Sequence, residues 1–296
     1  MTDDTFRHDH IDVGAERIHM IEAGDPTGPP VVFLHGFPES WYEWRPVMAL
    51  AATQGFRAVA LDLPGVGDSF SPDGTPRTKA RIADTVHAVV GDLGLHDVTL
   101  IGHDIGGMVV YAYLRAYTDI TRAVIMDIVI PGVPPWEDFI RQPFLWHFAL
   151  HAAPKLPERL IQGRQADYFD YFFDVLAADP TKTDDHARPV YAAAYDTDDQ
   201  LAAALGWFRA FPQDAQHNRD AASGTTVETP LLYLRGEKER SGHIDTYVEG
   251  LRSAGLTHVE PALVPGAGHF TQEEAPKATW DLIRRFITPQ GEPAHD

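Results

Sequence analysis

Short apolar runs alternate with segments of helical periodicity along the first part of the chain. The runs at 31–34 and 58–61 are apolar throughout, and each is followed by a stretch that contains Gly and Pro. Runs that do not alternate with polar residues suit strands buried on both faces of a sheet. Between them, residues 41–53 carry apolar side chains at close to a helical period, and Gly55 follows where a helix would end. The pattern predicts a strand, a helix and a second strand.

The same alternation continues to the end of the chain, with one long interruption. It predicts helices over 80–93, 105–117, 243–254 and 275–287, and strands over 98–101, 123–128, 231–234 and 259–264. Regular alternation of this kind predicts an α/β fold with a mostly parallel central sheet and helices on both faces. Ligands of such sheets bind at the carboxyl ends of the strands.

The interruption, residues 131–222, has no strand-like run and is rich in aromatic residues at helical spacings. Most of these aromatics are expected to form the core of the segment itself. An insertion flanked on both sides by strands of one sheet is predicted to be a cap and not an independent domain. We therefore expect a core domain at 1–130 and 223–296, with a helical cap at 131–222. The tail at 288–296, rich in Pro, Gly and charge, is expected to be disordered.

Composition restricts the chemistry and the partners. The 296 residues include 24 Lys and Arg against 43 Asp and Glu, a net charge of −19, and no Cys. Excess negative charge repels phosphate backbones and anionic membrane surfaces, so neither nucleic acid nor membrane is an expected partner. The absence of Cys excludes disulfides, thiolate nucleophiles, iron–sulfur clusters and Cys-ligated zinc. Without a signal-like amino terminus or an apolar run approaching about 18 residues, a soluble cytoplasmic protein is expected.

A Gly-x-Asp-x-Gly sequence at 102–106 joins a predicted strand directly to a predicted helix. A sharp turn of this kind strains its central residue, requires small flanking residues and directs the first helical amides at the reacting group. The central residue is Asp104, and a carboxylate suits displacement at saturated carbon, where a strained ring opens or a halide leaves. The other interpretation is that Asp104 only caps the helix. The strand before the turn and the helix after it favour a nucleophile.

An ester formed on Asp104 needs an activated water, and hence a base. His269 follows the last predicted strand, at the sheet edge that also carries Asp104. Two carboxylates compete to orient His269: Asp127, after the strand that follows the elbow helix, and Glu239, after the next strand. Asp127 is preferred because it lies in apolar sequence, where an unpaired carboxylate would be costly.

Four motifs together resemble α/β-hydrolases of the epoxide hydrolase and haloalkane or haloacetate dehalogenase group. They are His-Gly-Phe-Pro at 35–38, Asp-Leu-Pro-Gly-Val-Gly-Asp-Ser at 62–69, Gly-His-Asp-Ile-Gly-Gly at 102–107 and Gly-Ala-Gly-His at 266–269. The resemblance covers roughly residues 8–288. It implies an α/β-hydrolase fold with an oxyanion hole made by the backbone N–H groups of Phe37 and Ile105. Usage in the family supports either acid position, and one bacterial subgroup places the acid where Asp127 stands.

Departures from the family patterns favour epoxide opening. Haloalkane dehalogenases carry a Trp directly after the nucleophile, where this chain has Ile105. Fluoroacetate dehalogenases carry Arg residues just after the nucleophile, where this chain has Ile105 and Met108. Epoxide opening instead needs a donor for the developing alkoxide. By resemblance of the segment 144–148, the donor is His147.

A second donor is harder to identify. The Tyr of the family's cap motif aligns with Phe208, which has no proton to donate. Either another residue reaches the site, with Tyr168, Tyr191 and Trp207 as candidates, or His147 acts alone, or the ring-opening step is altered.

The sequence therefore predicts an epoxide hydrolase that converts an uncharged, apolar or aromatic epoxide into a vicinal diol through an aspartyl ester. The expected partners are the substrate and water, without metal or cofactor, and a homodimer is left open. Two alternatives remain. One is hydrolytic dehalogenation of a neutral haloalkane, and the other is a family member that has lost turnover and binds a hydrophobic ligand.

Overall fold

The computed structural model describes residues 5–183, 186–224 and 226–288. Its strands are Arg7–Val13 (β1), Glu16–Gly24 (β2), Pro30–Leu34 (β3), Arg57–Leu61 (β4), Thr99–His103 (β5), Arg122–Met126 (β6), Leu231–Gly236 (β7) and Val259–Val264 (β8). They form one sheet in the order β1-β2-β4-β3-β5-β6-β7-β8. Strands β3 to β8 are parallel, whereas β1 and β2 pair antiparallel at one side.

The helices connect these strands. Three lie between β3 and β6: Arg45–Thr53 (α1), Lys79–Asp92 (α2) and Ile105–Ala116 (α3). Between β6 and β7 come Trp136–Phe139 (α4), Trp146–Ala152 (α5), Leu156–Ile161 (α6), Gln165–Leu176 (α7), Ala187–Ala193 (α8), Asp198–Arg209 (α9) and Phe211–Ala222 (α10). The chain ends with Ile244–Ser253 (α11), Thr271–Glu274 (α12) and Pro276–Ile287 (α13). Short 3₁₀ turns lie at Trp41–Trp44, Pro143–Leu145 and Pro180–Lys182.

Both faces of the sheet are covered, which confirms the predicted α/β fold. Along β3, Val31 and Phe33 belong to an apolar cluster with Trp280 of α13. Val32 and Leu34 belong to a second cluster on the other face, which includes α3. Because successive side chains of a strand point to opposite faces, a strand covered on both sides is apolar throughout. This is why the runs at 31–34 and 58–61 were correctly predicted as strands.

The antiparallel pair of β1 and β2 was not predicted. Strand β1 lies at the edge of the sheet and is mostly exposed, with the polar sequence Arg-His-Asp-His-Ile-Asp-Val. Strand β2 is buried but mixes charged and apolar residues. A search for continuous apolar runs does not find such strands.

The helices α4 to α10 lie within 131–222, and the assignment of that segment as a cap of the core domain stays a prediction. A buried ion pair attaches this helical insertion to the core. Lys79 Nζ of α2 lies 2.8 Å from Asp214 Oδ2 of α10, and both side chains are 2% exposed. No helix of the described residues has both the length and the apolar composition needed to cross a membrane. The predicted disorder of the tail falls almost wholly outside the described residues, which end at 288.

Candidate active site

Asp104 lies at the turn between β5 and α3 with a strained backbone. Its φ of +46° and ψ of −117° are unusual for a residue with a side chain, and the carboxylate makes no capping hydrogen bond to α3. The interpretation of Asp104 as only a helix cap is therefore wrong. The flanking residues must be glycines because a side chain on either would collide with the backbone. A Cβ on Gly102 would lie 2.2 Å from Gly106 O, and one on Gly106 would lie 2.2 Å from Leu34 O. The turn thus frees the carboxylate of Asp104 to face the cavity above it.

One of the two backbone amides expected to form an oxyanion hole contacts Asp104. The N–H of Phe37 donates to Asp104 Oδ1 at 3.0 Å. Ile105 is the first residue of α3, whose amide end carries the positive end of the helix dipole. The structure brings the Phe37 amide to Asp104, and an oxyanion hole made by Phe37 and Ile105 stays a prediction.

His269 lies between the carboxylate of Asp104 and a second carboxylate. Its Nε2 is 4.0 Å from Asp104 Oδ2, and its Nδ1 is 3.4 Å from Glu239 Oε2. The backbone N–H of His269 donates to Leu176 O at 3.1 Å, which attaches the loop to α7. The arrangement of nucleophile, imidazole and acid is that of a catalytic triad.

Glu239, and not Asp127, contacts the imidazole, which corrects the preference drawn from the sequence. Asp127 Oδ1 accepts the Gly236 N–H at 2.8 Å, and Oδ2 accepts the Thr271 hydroxyl at 3.1 Å. Asp127 therefore has two hydrogen-bond donors, neither of which is His269, the partner predicted from the sequence. Burial raises the pKa of Asp127 to about 7, with a further contribution from the Glu239 charge, although His269 opposes the shift.

The pKa values of the ion pair favour charge on both partners. Burial alone would raise the pKa of Glu239, but its bond to His269 and the charge of Arg235 lower it to about 2. Burial likewise acts to lower the pKa of His269, but Glu239 and Asp104 outweigh it and raise the pKa above its ordinary value. A base with a raised pKa accepts a proton from water more readily.

The cavity above Asp104 is small and largely aromatic. Its volume is about 40 Å³, room for only a few water molecules. The apolar lining residues are Phe37, Ile128, Phe139, Phe144, Leu145, Phe148, Phe172, Leu176 and Phe208. The polar lining residues are Asp104, Asp127, His147, Glu239, Ser241 and His269. Ser241, whose Oγ accepts from Arg235, went unnoticed because a lone Ser in a loop gives no sequence signal.

His147 of α5 lines this cavity and is 7% exposed. Burial lowers its pKa to about 4, so the ring is neutral near pH 7 and can donate one N–H. His151, four residues later on the same helix, is fully buried. The His-x-x-x-His spacing of the pair was visible in the sequence but was missed. His151 Nε2 lies 2.7 Å from the Tyr168 hydroxyl, so that pair forms a hydrogen bond within the insertion.

The three candidates for the second donor, and Phe208 in place of the family's Tyr, have different positions. Tyr168 bonds His151, as described, and the Tyr191 hydroxyl donates to Glu273 Oε1 at 2.6 Å. Trp207 is fully buried and outside the lining of the cavity. Phe208 does line the cavity, with its ring centroid 5.2 Å from Phe37 and 4.4 Å from His151. None of the four therefore brings a hydroxyl into the cavity.

A buried polar network lies beneath the elbow. His103 Nδ1 is 3.1 Å from both Glu39 Oε2 and Glu43 Oε2, and its Nε2 is 3.0 Å from the backbone oxygen of His269. Burial opposes charge on His103, but the two carboxyl groups raise its pKa well above the ordinary value. Within the described residues, Glu39, Glu43 and His103 are a group of possible metal ligands, because one ligand atom from each lies within 4.8 Å of the others. His103 Nδ1 already lies within ion-pair distance of both carboxyl groups, so we assign no metal to the group, and the expected absence of a metal or cofactor stays a prediction.

Comparisons with known proteins agree with this geometry. A family model described as the alpha/beta hydrolase fold matches residues 29–276. The chain is 28% identical to the soluble epoxide hydrolase of Corynebacterium sp. (strain C12), over 95% of this chain and 97% of that protein. It is 25% identical to epoxide hydrolase A of Mycobacterium tuberculosis, over 94% of this chain and 96% of that protein. Among solved structures, Cfl2 of Burkholderia cenocepacia superposes with a TM-score of 0.87 at 32% identity, covering 96% of each chain.

Proposed function

The chain belongs to the family of proteins with the α/β-hydrolase fold, and on that premise we propose that it is an epoxide hydrolase. The observation that carries the proposal is the position of Asp104, 3.0 Å from the Phe37 amide and 4.0 Å from His269, beneath an aromatic cavity. The similarity to curated epoxide hydrolases over nearly the whole chain supports the same reaction. An uncharged substrate with an apolar or aromatic substituent suits the lining of the cavity.

In the first half of the reaction, a carboxylate oxygen of Asp104 attacks one epoxide carbon. The bond from that carbon to the epoxide oxygen breaks, its electron pair stays on oxygen, and an aspartyl ester forms. His147 donates an N–H hydrogen bond to the developing alkoxide, which then takes up a proton from a solvent water. The helical insertion acts as a cap that holds His147 over the nucleophile and excludes water from the ring-opening step.

In the second half, His269 removes a proton from a water molecule, whose oxygen attacks the ester carbonyl of Asp104. The amides of Phe37 and Ile105 stabilise the tetrahedral oxyanion, and Glu239 stabilises the imidazolium. As the intermediate collapses, the imidazolium of His269 gives its proton to the leaving ester oxygen and the vicinal diol is released. The carboxylic acid left on Asp104 returns a proton to solvent, which regenerates the carboxylate. Water and the epoxide are the reactants of this scheme, while a cytoplasmic location and a homodimer stay predictions.

The covalent step can be tested with a variant that forms the ester but cannot hydrolyse it. We expect His269→Gln to accumulate the alkyl-enzyme, so that intact-protein mass spectrometry after incubation with styrene oxide shows the added mass of one epoxide. Peptide mapping is expected to place that mass on Asp104. Asp104→Asn is expected to show neither adduct nor diol.

The same experiment separates the alternatives. Full turnover without an adduct in the His269 variant would exclude the covalent mechanism. An adduct from alkyl halides but from no epoxide would point to a dehalogenase, and binding without adduct or product would point to a protein that only binds its ligand. No Trp lines the cavity among the described residues, so no indole N–H there is available to hold a leaving halide.

A further inference from the structure

Three histidines lie on one face of the antiparallel pair of strands β1 and β2. His8 and His10 are two residues apart on β1, so their side chains point to the same face of the strand. His10 lies directly opposite His19 of β2, and side chains of directly opposite residues share a face. His8 and His10 are exposed, whereas His19 is 2% exposed. This edge of the sheet therefore brings together three imidazoles, the side chains that most often bind transition metals.

The three rings are close enough to share one ion. His8 Nδ1 is 3.0 Å from His19 Nε2, and the ring centroids of His8 and His10 are each 5.1 Å from that of His19. Two nitrogens that bind one metal at about 2.0–2.1 Å are about 2.9 Å apart at a right angle and about 3.3 Å apart at the tetrahedral angle. The nitrogens of His8 and His19 are thus already spaced as two ligands of one ion.

Asp62 determines which nitrogen of His19 is available as a ligand. Its Oδ2 lies 2.8 Å from His19 Nδ1, and its carboxyl group also accepts the N–H groups of Trp41 at 3.0 Å and Asp68 at 3.2 Å. Burial acts to raise the pKa of Asp62, but the bond from His19 and nearby charges outweigh it and lower the pKa. Asp62 is therefore a carboxylate that only accepts, so His19 donates from Nδ1 and directs the lone pair of Nε2 toward His8.

We propose that His8, His10 and His19 bind a divalent transition-metal ion such as Zn²⁺, with Asp62 as the carboxylate that orients His19. A carboxylate on the second nitrogen of a ligating histidine is the usual support of such a ligand. Three imidazoles suit zinc and its neighbours, and water completes the coordination. The ion joins the exposed edge strand β1 to β2 and takes no part in the chemistry at Asp104.

His10 is the ligand that must turn to reach the ion. Its ring is tilted by 36° to that of His19, and its side chain is exposed. Rotation about its side-chain torsions can therefore bring a nitrogen to the ion without displacing packed residues. The net charge of −19 favours the approach of a cation.

His10 also distinguishes a metal site from a simple hydrogen bond. In the absence of an ion, the short contact between His8 and His19 is a hydrogen bond between two imidazoles, and His10 has no part in it. A metal site needs His10 as the third ligand. Replacement of His10 should therefore weaken metal binding and leave the stability of the metal-free protein nearly unchanged.

The test uses the full chain without a histidine tag, treated with EDTA and dialysed, and titrates it with Zn²⁺ by calorimetry. We expect one Zn²⁺ per chain, and a midpoint of thermal unfolding that rises with Zn²⁺ concentration because the ion binds the folded state. His8→Gln and His10→Gln are each expected to weaken binding by at least about tenfold, as loss of even a supporting partner of a metal ligand does. His96→Gln, at an exposed imidazole between α2 and β5, is the matched control and should bind as the unaltered protein does.

A second measurement reports the coordination itself. Co²⁺ in place of Zn²⁺ absorbs visible light far more strongly when it has four ligands than when it is hydrated, and we expect His10→Gln to lose most of this absorption. The proposal is overturned if the unaltered protein binds no Zn²⁺ at a ratio of one to one. It is equally overturned if the variant that lacks both His8 and His10 binds Zn²⁺ with unchanged affinity, because the ion then lies elsewhere.

Discussion

At the scale of single residues, Phe208 occupies the lining of the cavity where the family's cap motif carries a Tyr. Its ring fills space beside Phe37 and His151 without a hydroxyl group, and Tyr168 and Tyr191 use their hydroxyls elsewhere. Among the described residues that line the cavity from the helical insertion, His147 is then the side chain with an N–H or O–H to donate. Ring opening with one donor is expected to be the slower half of the reaction for poorly activated epoxides.

Exchange of the donor tests this arrangement. We expect His147→Phe to slow ester formation by about 100-fold, a typical contribution of a general acid, without slowing ester hydrolysis. In that background, Phe208→Tyr is expected to restore part of the rate, because it brings a hydroxyl to the lining of the cavity. Phe70→Tyr, at a ring that is 59% exposed and outside the lining of the cavity, is the matched control and should restore nothing. Rapid-quench mass spectrometry measures the step, and an unchanged rate in His147→Phe would remove His147 from the mechanism.

At the scale of elements, the elbow depends on how closely α3 approaches the sheet. Strand β5 is buried along its whole length, and α3 begins directly after Asp104. Gly106, in the first turn of α3, lies so close to the end of β3 that any side chain would meet the carbonyl of Leu34. The same close approach therefore packs α3 on the sheet and positions Asp104.

Substitution at this contact should be destabilising, unlike substitution at an open helical glycine. A Cβ on Gly106 would lie 2.2 Å from Leu34 O, so Gly106→Ala is expected to lower the free energy of unfolding by about 2 kcal/mol or more. Gly91 in α2 has no atom within 4 Å of such a Cβ, and Gly91→Ala is expected to raise that free energy by about 0.5 kcal/mol. Denaturant unfolding compares the two, and equal effects would contradict the close approach.

At the scale of the whole molecule, the negative charge is expected to disfavour anionic substrates. The chain carries a net charge of −19, and three carboxyl groups but no Lys or Arg line the cavity within the described residues. Repulsion from this field lowers the association rate of anions, and dissolved salt screens it. The aromatic lining, by contrast, binds neutral substituents at any ionic strength.

A matched pair of epoxides tests the effect of charge. We expect kcat/KM for an epoxide with a carboxylate substituent to be at least about tenfold below that for its methyl ester, and to rise with salt concentration. The value for the ester should be nearly independent of salt. If the two epoxides react equally well at low salt, the field of the protein does not contribute to selectivity.

The sequence by itself determined the central sheet and the position of the nucleophile. Strands β3, β4 and β5 are buried on both faces, and that environment leaves apolar runs that can be recognised without any structure. The elbow is likewise local, because Gly102 and Gly106 are required within a few residues of Asp104. The edge strand β1 was missed because solvent on its face allows polar residues.

Only the tertiary structure decided which groups complete the site. Asp127 and Glu239 follow neighbouring parallel strands that end at the same edge of the sheet, so chain order and topology place both near His269. The choice depends on hydrogen bonds between distant segments: Gly236 and Thr271 hold Asp127, and the imidazole is left to Glu239. In the same way, the packing of the helical insertion places the hydroxyls of Tyr168 and Tyr191 in hydrogen bonds outside the cavity. Contacts between residues far apart in the chain carry no local pattern, and for that reason the sequence left them open.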